Sequence, residues 1–156
     1  MEKSEQICAL LKEKCGLFLQ YEQETDALLA CTLEEMQAHM KEREKLAGQI
    51  DGVDRQISEA CGGSQEVMDA VYNRCDRGGL PEALAKIYDS AQPVFQIINR
   101  IRQAEPLAEM RMQREKDALE VKIKQSNRSS AAQASRYFSG ARGSESAARS
   151  AHFRKV

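Results

Sequence analysis

Leu28-Leu29-Ala30-Cys31-Thr32-Leu33-Glu34-Glu35-Met36 decides the fold, because this stretch ends one helix and starts another. Thr32-Leu33-Glu34-Glu35 has the form of a capping box. The threonine oxygen is placed to accept from the Glu35 N–H, and Glu35 to reach back to the Thr32 N–H. Upstream, Ile7, Leu10/Leu11, Leu17/Phe18, Tyr21 and Leu28 recur at helical spacing, interrupted by Lys14 and Thr25. This predicts a helix from about Ser4 to Ala30. Gly16 inside it costs about 1 kcal/mol against alanine, which a packed stripe absorbs. Downstream, Leu33, Met36, Met40, Leu46/Ala47, Ile50, Val53 and Ile57 keep the same spacing up to Gly62-Gly63, a helix stop. Two amphipathic helices joined by so short a linker pack antiparallel, as a hairpin about 40 Å long.

Beyond the hairpin, Ser64 is placed to cap a short helix carrying Val67, Met68, Val71, Tyr72 and Cys75, ended by Gly78-Gly79. Pro81 then stands where a first helical turn favours it. From there an apolar line runs through Leu84, Ile87, Tyr88, Ala91, Val94/Phe95, Ile98, Ile101, Ala108, Met112, Leu119 and Ile123. Pro93 and Pro106 lie inside it, and each removes a backbone bond at about 3 kcal/mol. The apolar phase survives both, which predicts one kinked continuous helix; two helices meeting at Pro106 is the alternative. The expected fold is all-α: an antiparallel helical hairpin plus a long third major helix, in an elongated bundle with coiled-coil-like packing.

Composition agrees with narrow helical seams. Hydrophobic residues make up 42% and charged residues 30%, while aromatics are only 5% and tryptophan is absent. The net charge of −1 hides an asymmetry. From Lys122 onward there are eight Lys or Arg and one acid, Glu145, a balance of +7; the preceding residues hold 15 basic and 23 acidic side chains, a balance of −8. From Ser126 to Val156 stand eight serines and seven alanines but no Leu, Ile or Met. Such a segment does not offset an ordering cost of about 1–2 kcal/mol per residue. Residues 1–128 are therefore expected to form the helical bundle and residues 129–156 a basic, mobile tail with aromatic anchors at Tyr137, Phe138 and Phe153.

Chemistry is hard to find. The five cysteines, Cys8, Cys15, Cys31, Cys61 and Cys75, are dispersed singly, which argues against a disulfide framework. Cys8 and Cys15 fall with Leu11 and Phe18 and read as small core residues. His39 and His152 lack the Glu-x-x-His spacing of a di-metal bundle site. The run Lys41-Glu42-Arg43-Glu44-Lys45 reads as a solvated helix face. Gly62-Gly63 and Gly78-Gly79 lack the lysine and preceding strand of a phosphate loop. No enzyme activity, metal or cofactor is expected. The start, MEKSEQ, lacks an apolar signal region, and no run approaches the about 20 apolar residues of a membrane span. A cytoplasmic location is expected. Basic residues in the tail are spaced too sparsely for a convincing phosphate track, which makes nucleic acid binding the weaker reading.

What remains is a mismatch in length. A helix from Pro81 to about Ser126 would be roughly 70 Å long against a hairpin of about 40 Å. Its far end carries Leu107, Met110, Met112, Leu119, Val121 and Ile123. An overhanging apolar end with paired methionines suits adaptable capture of a partner helix. The candidate partner-binding residues are Leu107, Met110, Met112, Leu119, Ile123, Tyr137 and Phe138. Self-pairing of the same helix into a homodimer is the alternative.

Leu10-Leu11, Tyr21-Glu22 and Leu28-Leu29, followed by Leu33-Glu34-Glu35-Met36, Glu42-Arg43-Glu44-Lys45-Leu46, Ile50 and Arg55, give residues 5–57 a familiar character. This part of the chain resembles the FlgN-like flagellar export chaperones, with the FliT-like chaperones close to them. Tyr137-Phe138 and Ser150-Ala151-His152-Phe153-Arg154-Lys155 are similar to the tails of some Gram-positive members. In the long helix, Asn99-Arg100-Ile101 and Asn127-Arg128-Ser129 depart from the asparagine-leucine-leucine run common in that family. The resemblance implies a cytosolic chaperone without ATP or metal. It would bind the C-terminal helices of hook–filament junction or cap proteins and deliver them to the export apparatus.

Overall fold

Thr32 adopts extended backbone, and its Oγ1 accepts from the Glu35 N–H at 3.3 Å. The threonine half of the box is therefore formed, an interaction worth about 1 kcal/mol. In the computed structural model, which describes residues 2–138, this cap separates α1 (Glu2–Ala30) from α2 (Leu33–Cys61). Gly62 closes α2 in the left-handed conformation, φ 59°, its N–H donating to the Glu59 carbonyl. Ser64 caps α3 (Gln65–Val71), its Oγ accepting from Val67 N–H. The last helix, α4, spans Glu82–Phe138 and contains both Pro93 and Pro106. The described residues are thus all-α.

The described residues divide into two compact units, one up to Glu109 and one from Met110. In the first, α1 and α2 pack as the expected antiparallel hairpin. Buried positions follow coiled-coil spacing. On α1 they are Ile7, Leu11, Lys14, Thr25 and Leu28; on α2 they are Met36, Arg43, Leu46, Ile50, Val53, Ile57 and Cys61. The part of α4 in this unit lies along both. Ile87 and Ala91 join Ile7, Leu11, Val53 and Ile57 in one core cluster; further along, Arg100 pairs with Glu22 and Arg43 with Glu105. This order makes α4 parallel to α1 and antiparallel to α2. Ala70 and Val71 of α3 complete the cluster near Cys61, and Arg77 anchors the following loop by a bidentate ion pair with Asp89.

Three expectations need correction. The short helix ends at Val71 rather than running to Gly78-Gly79, so Cys75 lies outside it. Asn73 takes φ 57°, and the Arg74 N–H reaches back to the Asp69 carbonyl, the 6→1 bond of a Schellman turn. Asparagine tolerates that left-handed position, so no glycine was needed. Second, Arg43 is not on a solvated face: only 9% of it is exposed, because it occupies the seam position between Met36 and Leu46. Third, Cys8 and Cys15 are half-buried at the edge of the core, not inside it. The helix α4 itself continues to Phe138, ten residues past position 128. From Ser129 to Phe138 there is neither Gly nor Pro, and alanine is the strongest helix former. The rest of the expected tail, 139–156, lies outside the described residues.

Candidate partner-binding surface

Described by itself, the second unit is helical from Met110 to Phe138. At 3.6 residues per turn, its apolar residues separate onto two faces. Met112, Leu119 and Ile123, spaced seven and four apart, share one line; Met110 and Val121 fall on the opposite side. Leu119 is 48% exposed, while Met112 and Ile123 are half-buried. Met110 is 58% and Val121 51% exposed. Leu107, in the first unit, is exposed as well. The expected set is therefore not one patch. Only Met112, Leu119 and Ile123 prolong, in the sequence of α4, the spacing of the buried residues Val94, Ile101 and Ala108. Tyr137 and Phe138 are the last two residues of α4, and their side chains lie outside those described.

The first unit holds a polar layer that sequence reasoning missed. Arg43 Nη2 donates to Tyr21 Oη at 2.8 Å and also to Glu105 Oε1, and the guanidinium carbon lies 4.8 Å from the Tyr21 ring centroid. Burial works against this cation, but the hydrogen bonds to Tyr21 and Glu105 outweigh it and its pKa is raised above the ordinary value. Thr25 Oγ1 donates to the Tyr21 carbonyl, and His39 Nδ1 meets Glu24 Oε2 nearby. One further polar tie crosses the hairpin: Lys14 Nζ donates to Asp54 Oδ1 at 2.7 Å. The available signal was positional, since Lys14 and Arg43 both stand at seam spacing.

These groups bind one another. Among the described residues no group of three or more His, Cys, Asp or Glu is arranged to hold a metal. His152, the other histidine, lies outside the described residues. None of the five cysteines is in a disulfide, and burial pushes the Cys61 thiol above its ordinary value, away from nucleophilic use. No described helix is long and apolar enough to cross a membrane. Cys8, Ala9, Lys12, Cys15, Ser90 and Pro93 line an open groove of about 460 Å³ between α1 and α4. It carries no convergent polar set that would orient a small molecule. Comparison with protein-family models, curated proteins and solved structures finds no match.

Glu22 supplies a pH handle on the bundle. Hydrogen bonds from Arg100, at 2.7 and 2.9 Å, hold its carboxyl below the ordinary value of 4.5, outweighing the opposing effect of burial. A depressed folded-state pKa contributes stability that is complete above the unfolded value and lost as pH falls through the folded one. The wild-type protein is therefore expected to lose more stability below about pH 4.5 than Glu22→Gln does. Denaturant midpoints measured from neutral to acid pH check this; parallel profiles for the two proteins would remove Glu22 from the account.

Proposed function

We propose that this chain is a non-catalytic helical binding protein that captures an amphipathic helix of another protein along Met112, Leu119 and Ile123 of α4. One observation carries the reading. In α4, residues at this spacing are buried at Val94, Ile101 and Ala108, yet at Leu119 the same line is 48% exposed. A helix face of this kind is the usual receptor for an i, i+3, i+4, i+7 ligand helix. Methionine at its start suits recognition of ligands that differ in detail.

The resemblance of residues 5–57 to the FlgN-like chaperones gives this binding a purpose. In that reading the ligand is the terminal helix of a flagellar hook–filament junction or cap protein. Capture covers an apolar helix that would otherwise drive premature assembly. Release occurs at the type III export apparatus, and the protein works in the cytoplasm without nucleotide, metal or other cofactor.

Purified junction and cap proteins are the probes. Each large apolar side chain buried at such a surface contributes about 1.5–3 kcal/mol before ordering costs. The double change Met112→Glu plus Leu119→Glu is therefore expected to weaken capture by at least about a hundredfold. Helical content and unfolding of the first unit should be unchanged. Equal binding by wild type and double variant would sink this surface as the site.

A further inference from the structure

The opposite face of the same helix carries a second, independent pattern. Met110, Arg114, Asp117 and Val121 are spaced four, three and four apart, and all four are exposed. They form one line on the side of α4 away from Met112, Leu119 and Ile123. Met110 and Val121 are among the most exposed large apolar residues described, and nothing among the described residues of the second unit covers them. Asp117 accepts a hydrogen bond from Gln113 Nε2, at the flank of this face, at 2.9 Å.

We infer that this face pairs with the same face of a second copy of the chain, antiparallel, about a two-fold axis level with the Glu115–Lys116 bond. The argument is complementarity. A two-fold contact is self-complementary, so each residue must suit the one that the axis brings opposite it. With the axis at that level, Met110 meets Val121 of the second copy and Arg114 meets its Asp117. The reciprocal pairs repeat on the other side. The result is two ion-pair layers at the centre with an apolar layer outside each, in the alternation of an antiparallel coiled coil. At the flank, Gln113 lies beside Glu120 of the second copy, without a clash of like charges. A parallel, in-register pair fails the same test. It sets Arg114 against Arg114 and Asp117 against Asp117, and like charges in adjoining seam positions oppose association.

Four layers make a small contact, so the dimer is weak and depends on concentration. It leaves the Met112, Leu119 and Ile123 line open, and two such lines would then point away from one dimer. The proposal does not rest on the export-chaperone reading.

Charge exchange on the full chain is the test, read as mass against concentration by sedimentation or light scattering. Wild type is expected to shift from monomer to dimer with rising concentration. Arg114→Asp places four aspartates in the central layers and Asp117→Arg places four arginines there. Each alone should weaken the dimer at least tenfold. The double variant R114D/D117R restores opposite pairs and should dimerise like wild type. A mixture of the two single variants should form a heterodimer that neither forms alone, with circular dichroism confirming that each remains helical. A wild-type chain that stays monomeric at every concentration overturns the inference. So does a dimer that ignores all three variants, and one that ignores them but is lost in Met112→Glu plus Leu119→Glu assigns self-association to the other face.

Discussion

Ile57→Ala is expected to lower the unfolding free energy by about 3–5 kcal/mol, the upper part of the usual range for truncating a buried isoleucine. Ile57 has no exposed surface and touches a cluster drawn from every helix: Ile7 and Leu11 of α1, Val53 of α2, Ala70 and Val71 of α3, Ile87 and Ala91 of α4. The cost of a cavity depends on how far its walls collapse into it. Here the walls are separate helices, each fixed by its own backbone ladder and by polar ties such as Lys14–Asp54 and Arg100–Glu22. They cannot all move inward together. Domains of this size have only about 5–15 kcal/mol to lose, so the variant should give up a large share of its stability. Leu119→Ala is the control. It removes a similar volume from a half-exposed position in the second unit and should change the midpoint of the first by less than about 0.5 kcal/mol. Urea denaturation followed by circular dichroism measures both. A cost below about 1 kcal/mol for Ile57→Ala would mean that the cluster is far less rigid than its packing implies.

The parts of this fold that were legible in the sequence are those set by local rules. Thr32 before Leu33-Glu34-Glu35 and Gly62-Gly63 after Cys61 are punctuation that works without knowledge of the rest of the chain. They delimited α1 and α2 to within two residues. The continuity of α4 through Pro93 and Pro106 was also legible, since the apolar phase on either side of each proline is unbroken. At 57 residues against 29 in α1 and in α2, this helix has the disparity in length that the sequence suggested.

Other features depend on tertiary context, where local rules mislead. Arg43 stands within Lys41-Glu42-Arg43-Glu44-Lys45, whose composition looks like a solvated face. The heptad count through Met36, Leu46 and Ile50 places it in the seam instead. Only the partner side chains, Tyr21 on one helix and Glu105 on another, make that position tenable, and they are distant in sequence. Asn73 ended α3 early through a left-handed turn available to several residue types. The candidate surface is divided by helix geometry. Leu107, Met110, Met112, Leu119 and Ile123 were grouped by nearness along the chain, whereas a helix sorts residues by phase. Sorting them by phase divides the group into the two faces on which the proposals above separately rest.

The polar layer at Arg43 yields the other large effect, one that is not additive. Glu105→Leu should cost about 3 kcal/mol, because it strips the charge partner from a guanidinium that is nearly buried. Arg43→Leu should cost less, about 1–2 kcal/mol, since the Glu105 side chain is 30% exposed and keeps access to water. The double change Arg43→Leu plus Glu105→Leu should recover most of the loss, because paired apolar replacements of a buried ion pair are often neutral or stabilising. Arg43 Nε and Glu105 Oε2 are already buried without a partner among the described residues, which makes the native pair costly to retain. If the pair does not maximise stability, its use must lie elsewhere. The line on α4 repeats at heptad spacing from Ile87 through Ile101 and Ala108 to Met112 and Leu119, so an all-apolar seam would allow the hairpin to slide along it by one repeat. Glu105 admits Arg43 at one register only, in the way that a single polar seam residue specifies register in coiled coils at some cost in stability. The double variant is therefore expected to unfold at a midpoint near wild type while its amide NMR spectrum broadens or doubles, as α4 samples a shifted register. Stability losses that simply add in the double variant would refute the coupling. A sharp, single set of resonances with restored stability would show that register is fixed elsewhere, most directly by the bidentate Arg100–Glu22 pair.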